Sequence, residues 1–391
     1  MGVHRSRLDC GVLRVELTDA YGQPIPVVCG FLRHLAARDY SPNTLIGYAQ
    51  DLQHFWQFLS QHELSWERFR PPEALAFLEH LRTTPRRRPA QRLSLALATV
   101  DEGRPAMCLA PTTINRILAA VSTFYEYVIV CGQLDAPNPL EKCVDTNLRR
   151  VPERHRAFLD GISRQQPMRR RVSVKTVQRV PRPLGDAQVA ALLDALQCQR
   201  DLALVRLMLD GGLRPGEALG LHLEDVAYGR RRVVIRHRND HPKGVRAKSR
   251  FERVVDLHEP ATLAAVSTYV MTERPEDAAS PFVFLVGGHG RRRLEPLSYA
   301  ALAKLFARTC ERAGIREPWM TAHALRHTHA TKMWEGGMRE LTLQKRLGHA
   351  SPESTRIYTR VSDPAVVTEY CRALSKGTGQ NVDPVPNGEP S

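Results

Sequence analysis

Apolar residues recur at three- and four-residue steps in two long stretches of the first third of the chain. Leu45, Tyr48, Leu52, Phe55, Trp56 and Leu59 share one side of a predicted helix. Ser41-Pro42 precedes them, an N-cap followed by proline at the first helical position. A second helix is predicted from Thr112 or Thr113, carrying Ile114, Ile117, Leu118, Val121, Phe124, Tyr125 and Val128. Ala74 to Leu81 supplies a shorter one, and the basic, proline-containing stretch Pro85 to Met107 reads as a surface loop. From Pro183 the pattern becomes mixed. Asp186 is placed to cap a helix with Val189, Leu192, Leu193 and Leu196. An apolar helix follows at about Asp201 to Leu209; Gly211-Gly212 ends it, and a short helix opens at Pro215. Val233-Val234-Ile235 and Arg253 to Leu257 read as two strands joined by a long polar turn. Helices are expected again at about Ser298–Ala313, His323–Gly336 and Leu341–Leu347.

This pattern predicts a mainly α fold with a small β-sheet, in two blocks. An N-terminal extension covers 1–23, a helical block 24–135, a basic linker 136–182 and an α+β block 183–375. Residues 376–391, rich in Gly, Pro, Asn and Ser, read as a disordered tail. With 391 residues the chain is long enough for more than one core. Its net charge of +15 favours a polyanionic partner. The charge is concentrated in the linker, where Arg149 to Arg182 holds 11 Lys/Arg against two acids and Arg169, Arg170 and Arg171 are consecutive. Such a segment is either a solvated tether or a strap along phosphates. Eight cysteines without a C-x-x-C pair argue against a zinc site or disulfide framework and fit reduced thiols. No signal-type segment and no run of 18 apolar residues occurs, so a cytoplasmic protein with no membrane partner is expected.

Four stretches carry candidate chemistry. In Gly212-Leu213-Arg214-Pro215-Gly216-Glu217, an arginine sits in a glycine-flanked turn before a proline-started helix, either an anion site or a surface contact. Lys248 lies in the turn before the returning strand, where it is either a mobile point charge reaching a groove or an exposed turn lysine. In His323-Ala324-Leu325-Arg326-His327-Thr328-His329, His323 and Arg326 share a helix face. Ala324 stands where a zinc H-E-x-x-H motif needs Glu, so no metal is expected, and His327 and His329 read as packing or capping groups. Finally, Leu347-Gly348-His349 is followed nine residues later by Tyr358 in Arg356-Ile357-Tyr358-Thr359.

In this order, Arg214, Lys248, His323-x-x-Arg326, His349 and Tyr358 resemble the tyrosine recombinase (phage integrase) family, over roughly Pro183 to Tyr370. The first block more loosely resembles the family's helical core-binding domain. The long turn Asn239 to Lys248 leans towards transposon-type integrases. The resemblance implies a Tyr358 nucleophile, a 3′-phosphotyrosyl intermediate and a freed 5′-hydroxyl. Arg214 and Arg326 would hold the phosphate, Lys248 would be the general acid, and His323 and His349 would assist. It implies no cofactor. The implied partners are double-stranded DNA, contacted also by Arg169, Arg170, Arg171 and Arg250, a tetramer of the chain on DNA, and accessory proteins in some systems. Bound to DNA, the protein would sit on the bacterial nucleoid. Val366 to Leu374 would dock either on a neighbouring subunit or on its own domain. Competing readings are a topoisomerase of the same chemistry, a catalytically inactive DNA-binding relative, and a basic helix-turn-helix regulator that leaves the six residues unexplained.

Overall fold

The computed structural model describes residues 1–7, 13–85, 108–144, 168–176, 182–246, 252–349 and 355. Lys248, Arg250 and Tyr358 therefore lie outside the described residues, as does the segment 366–374. The chain divides into two compact units, Met1–Gln178 and Arg179–Ser391.

Among its described residues the first unit is built on the helices α1 (Pro26–Ala37), α2 (Pro42–Gln61), α3 (Pro71–Thr83) and α4 (Pro111–Val130). Ser41 caps α2 as its sequence predicts: its hydroxyl accepts the Thr44 N–H at 3.2 Å, and Pro42 opens the helix. All seven apolar positions that predict α4 are buried. They close on a core of aromatic rings, with Phe55 edge-on to Trp56, Phe69 and Phe77. Two segments read as peripheral take part in this unit. The N-terminal residues form an antiparallel hairpin, β1 (Gly2–Arg7) with β2 (Leu13–Thr18), and Val15 and Leu17 enter the core. Within the stretch read as linker, β3 (Lys142–Val144) pairs with β4 (Met168–Arg170). Val172 is buried, and the Asn115 side chain both donates to and accepts from the Val174 backbone, each at 2.8 Å. These residues are thus fastened to the first unit through a buried valine and a paired amide, while neighbours such as Arg171 stay exposed.

The second unit contains α5 (Asp186–Asp194), α6 (Gln199–Asp210), α7 (Pro215–Leu219), three short strands β5 (Val226–Ala227), β6 (Arg232–Ile235) and β7 (Arg253–Asp256), then α8 (Pro260–Thr268), α9 (Tyr299–Arg312), α10 (Ala322–Glu335) and α11 (Glu340–Leu347). The strands are antiparallel in the order β5-β6-β7, with Val233 opposite Val255. Val233, Ile235 and Val255 face the core while Val254 faces out, the period-two alternation of a half-buried sheet. Asp186 is the first residue of α5 and Gly185 is its N-cap, one position earlier than the sequence suggests. The mainly α fold with a small β-sheet is borne out.

Candidate active site

Arg214 is the N-cap of α7, with the extended backbone that position requires. Glu217, at the third position of the helix, makes the return half of a capping box: its carboxylate accepts the Arg214 backbone N–H at 2.8 Å. The same carboxylate accepts from Arg214 Nη1 at 2.7 Å. It also takes a two-pronged pair from Arg253 of β7, Nη1 at 2.9 Å and Nη2 at 2.7 Å. Arg326 Nη1 lies 3.8 Å from it. Three guanidiniums thus share one carboxylate, and among these four side chains two positive charges are left over. All are withdrawn from water: side-chain exposure is 16% for Arg214, 8% for Arg253, 4% for Arg326 and nil for Glu217. Burial alone would raise the Glu217 carboxyl. The hydrogen bonds and charge of Arg253, with Arg214 and Arg326, overcome this and lower it to about 2.

Backbone carbonyls fix the remaining guanidinium edges. Arg326 donates to Gly212 O and Leu347 O, both at 2.6 Å, and Arg214 Nη2 donates to Gly348 O at 3.0 Å. Gly348 ends α11 in the left-handed region, at φ 63°, and a Cβ there would lie 2.7 Å from Arg253 Nη1. Glycine is needed both for the turn and for the close approach. His349 follows directly. Its Nδ1 lies 2.8 Å from the hydroxyl of Thr355, which is fully buried and three positions before Tyr358 in sequence. Burial, reinforced by Arg326, Arg214 and Arg253, lowers the imidazole to about 3, so it is neutral at ordinary pH.

The structure therefore brings Arg214, Arg326 and His349 together. His323 is half-buried on α10, one turn before Arg326, beside His327. Around Lys248 the flanking residues are held: Val245 is buried, and the Arg246 carbonyl would lie 2.6 Å from a Cβ on Gly216 of α7. The loop base thus closes on the helix that Arg214 caps. In the first unit, Arg169 and Arg170 lie on β4 opposite Cys143 and Lys142. Burial lowers the half-buried Arg170 guanidinium, opposed by Glu126. Arg171 is exposed and 3.9 Å from Glu141. Sequence reasoning missed Glu217 and Arg253. The capping-box spacing of Arg214 and Glu217 was a signal for the first; Arg253 looked like an ordinary strand residue.

Residues 183–364 match the phage integrase family, and residues 28–130 match the phage integrase N-terminal SAM-like domain. The chain belongs to the phage integrase family. Membership makes it a tyrosine-type site-specific DNA recombinase. Among curated relatives, transposase A from transposon Tn554 of Staphylococcus aureus is 26% identical over 361 residues, 92% of this chain and 94% of the relative. Tyrosine recombinase XerC of Chlorobaculum parvum is 26% identical over 362 residues, 88% of this chain and 92% of the relative. The fold is similar to that of the Tn1549 transposon integrase solved in complex with transposon right end DNA. The TM-score is 0.59 at 18% identity, covering 91% of this chain and 99% of that one. It is also similar to XerH site-specific recombinase bound to palindromic difH substrate. Here the TM-score is 0.56 at 18% identity, covering 87% and 81% of the two chains. No helix among the described residues is long and apolar enough to cross a membrane.

Proposed function

We propose that this recombinase cleaves and rejoins duplex DNA through a 3′-phosphotyrosyl bond at Tyr358, with no metal or high-energy cofactor. The observation that carries the reading is the excess of two positive charges in the Arg214–Arg253–Arg326–Glu217 cluster. A phosphodiester brings one negative charge, and its pentavalent transition state adds another, so the cluster is better matched to the transition state than to the ground state. On this reading Tyr358 Oη bonds to phosphorus, and the P–O5′ bond breaks. The tyrosyl proton leaves with help from His323, and Lys248 protonates the departing 5′-oxygen. A 5′-hydroxyl on the partner strand then reverses the step and seals the exchanged junction. Arg214 and Arg326 each supply ~3 kcal/mol, the scale of one lost oxyanion donor. Neutral His349 contributes a hydrogen bond rather than a third charge.

Double-stranded DNA is the substrate, gripped through phosphates by both units with Arg169, Arg170, Arg171 and Arg250 among the contacts. Four copies assemble on paired sites. The Tn554 and Tn1549 likenesses favour an element that moves by integration. The test is a nicked duplex carrying the candidate site, read on a denaturing gel. A protein–DNA adduct in the wild type that disappears in Tyr358→Phe is expected. An adduct that survives the substitution would remove Tyr358 from its role, and tight binding without an adduct would favour a non-enzymatic DNA-binding protein.

A further inference from the structure

His329 lies on α10 two residues beyond His327, the second of the histidines that flank Arg326, and sequence alone gives it a packing or capping role. Its surroundings are more specific. The ring is 2% exposed. Arg346 Nε donates to its Nε2 at 3.0 Å. A guanidinium can only donate, so Nε2 must offer its lone pair and the ring proton must sit on Nδ1. Nδ1 accordingly donates to Leu209 O at 2.9 Å. The ring also abuts Gly212 so closely that a Cβ there would lie 2.4 Å from Cδ2.

Two of these neighbours, Gly212 and Arg346, carry backbone carbonyls that hold the arginine cluster. Gly212 O receives Arg326 Nη1, and Leu347 O, next to Arg346, receives Arg326 Nη2. The carbonyl of Arg346 itself accepts Arg253 Nε at 2.9 Å. The Arg346 guanidinium further spans Asp210 O at 3.2 Å and Asp256 O at 3.3 Å, tying the ends of α6 and β7 to α11. We propose that His329 is a positioning residue: held in one tautomer between Leu209 and Arg346, it sets the backbone that places Arg326 and Arg253. This rests on reading that cluster as the phosphate cradle. Burial first, then the charge of Arg346, lowers the ring to about 4, which keeps the Nε2 lone pair available at neutral pH.

The side chain's two nitrogens allow separate tests. Gln can present an acceptor near the Nε2 position, Asn only near Nδ1, and Phe neither. In the full chain with the nicked duplex, His329→Phe and His329→Asn should slow adduct formation by ~10²-fold, the scale of a 1 Å misplacement. His329→Gln should recover most of the rate. DNA affinity should stay within about threefold, since it comes from phosphate contacts spread along the duplex. His329→Phe combined with Arg346→Met should be no slower than the slower single variant, because the two act as one device. A structural role alone would lower melting temperature and affinity together and show no Gln recovery; that pattern, or additive losses, would overturn the proposal. If the wild type forms no adduct, the cradle reading fails instead. The role of His329 is then read from the nitrogen resonances of labelled histidine in the full chain. An Nδ1–H ring that loses its preference in Arg346→Met supports it, and an Nε2–H ring in the wild type overturns it.

Discussion

Replacing Glu217 with glutamine keeps the side chain's size and one acceptor oxygen but removes the charge that three guanidiniums share. Glu217 is lowered from 4.5 to about 2. At ~1.36 kcal/mol per unit, that is about 3 kcal/mol favouring the ionised folded state. The side chain has no exposure, so solvent screening gives no reason to discount it. Losing the carboxylate also leaves buried guanidiniums uncompensated, which for one broken buried pair costs ~3–5 kcal/mol. The second unit of Glu217→Gln should therefore be destabilised by about 3–5 kcal/mol at pH 7. The sign of the pH effect follows from the lowered value. The stabilisation is complete above 4.5 and is lost as pH falls through about 2. At pH 3 linkage leaves about 1.4 kcal/mol of the 3, so the gap between wild type and variant should narrow by about 2 kcal/mol. Urea titrations at pH 7 and pH 3, read by pulsed hydrogen exchange in α6 and α7 peptides, report this unit by itself. A loss below about 1 kcal/mol at pH 7, or a gap that does not narrow at pH 3, would refute the account of Glu217 as the anchor of the cradle.

Two smaller predictions concern other groups. Asp51, 3% exposed on α2 and 2.7 Å from Arg116 Nη1, is raised by burial to about 6 despite that arginine. The folded state therefore binds the extra proton between 3.8 and about 6, and first-unit stability falls as pH rises through that window. Asp51→Asn should remove this slope and stabilise the unit by up to ~3 kcal/mol at pH 7, as urea titrations followed in α2 and α4 peptides would show; an unchanged slope counts against it. Gly348→Ala should cost ~1–2 kcal/mol for its left-handed backbone and displace Arg253 from Glu217. Thermal melting and the nicked-duplex assay check both parts, and an alanine variant with wild-type melting and cleavage contradicts the geometry.

Much of the architecture was legible because periodicity reports burial directly. The α4 positions and the alternation of Val233 and Ile235 are cases where one face is apolar and the other is not. The fold missed where burial is carried by few residues. In β1 and β2 the described buried apolar residues are Val15 and Leu17, with Val3 packed beside them, and neighbouring charges mask the pattern. In α8, Pro260–Thr268, small and β-branched residues such as Ala265 and Thr262 are buried without a clean stripe. In the basic linker the attachment of the described part was hidden for a related reason: arginines dominate the composition, while the attachment depends on Val172 and on backbone bonds from Asn115, which no composition reveals. At the site, motif order pointed to Arg214, Arg326 and His349, which the fold does bring together. It could not reveal Glu217 as the counterion the arginines share, because that role depends on Arg253 arriving from a strand 36 residues away in sequence.

The shared carboxylate also explains how a cluster of buried cations can exist in the protein by itself. Three guanidiniums alone would repel one another in a medium of low dielectric, and desolvation would add to the penalty. One carboxylate cancels a third of their charge, while the carbonyls of Gly212, Leu347 and Gly348 satisfy donors without cancelling more. A second carboxylate would make the folded protein more comfortable and the cradle less attractive to an anion. With none, the arginines would have no common point to converge on. The arrangement therefore keeps the donors fixed and the positive field in place ahead of the reaction. On the proposed reading of the cluster as a phosphate cradle, that is the condition under which electrostatic stabilisation needs little reorganisation when charge develops on the phosphate.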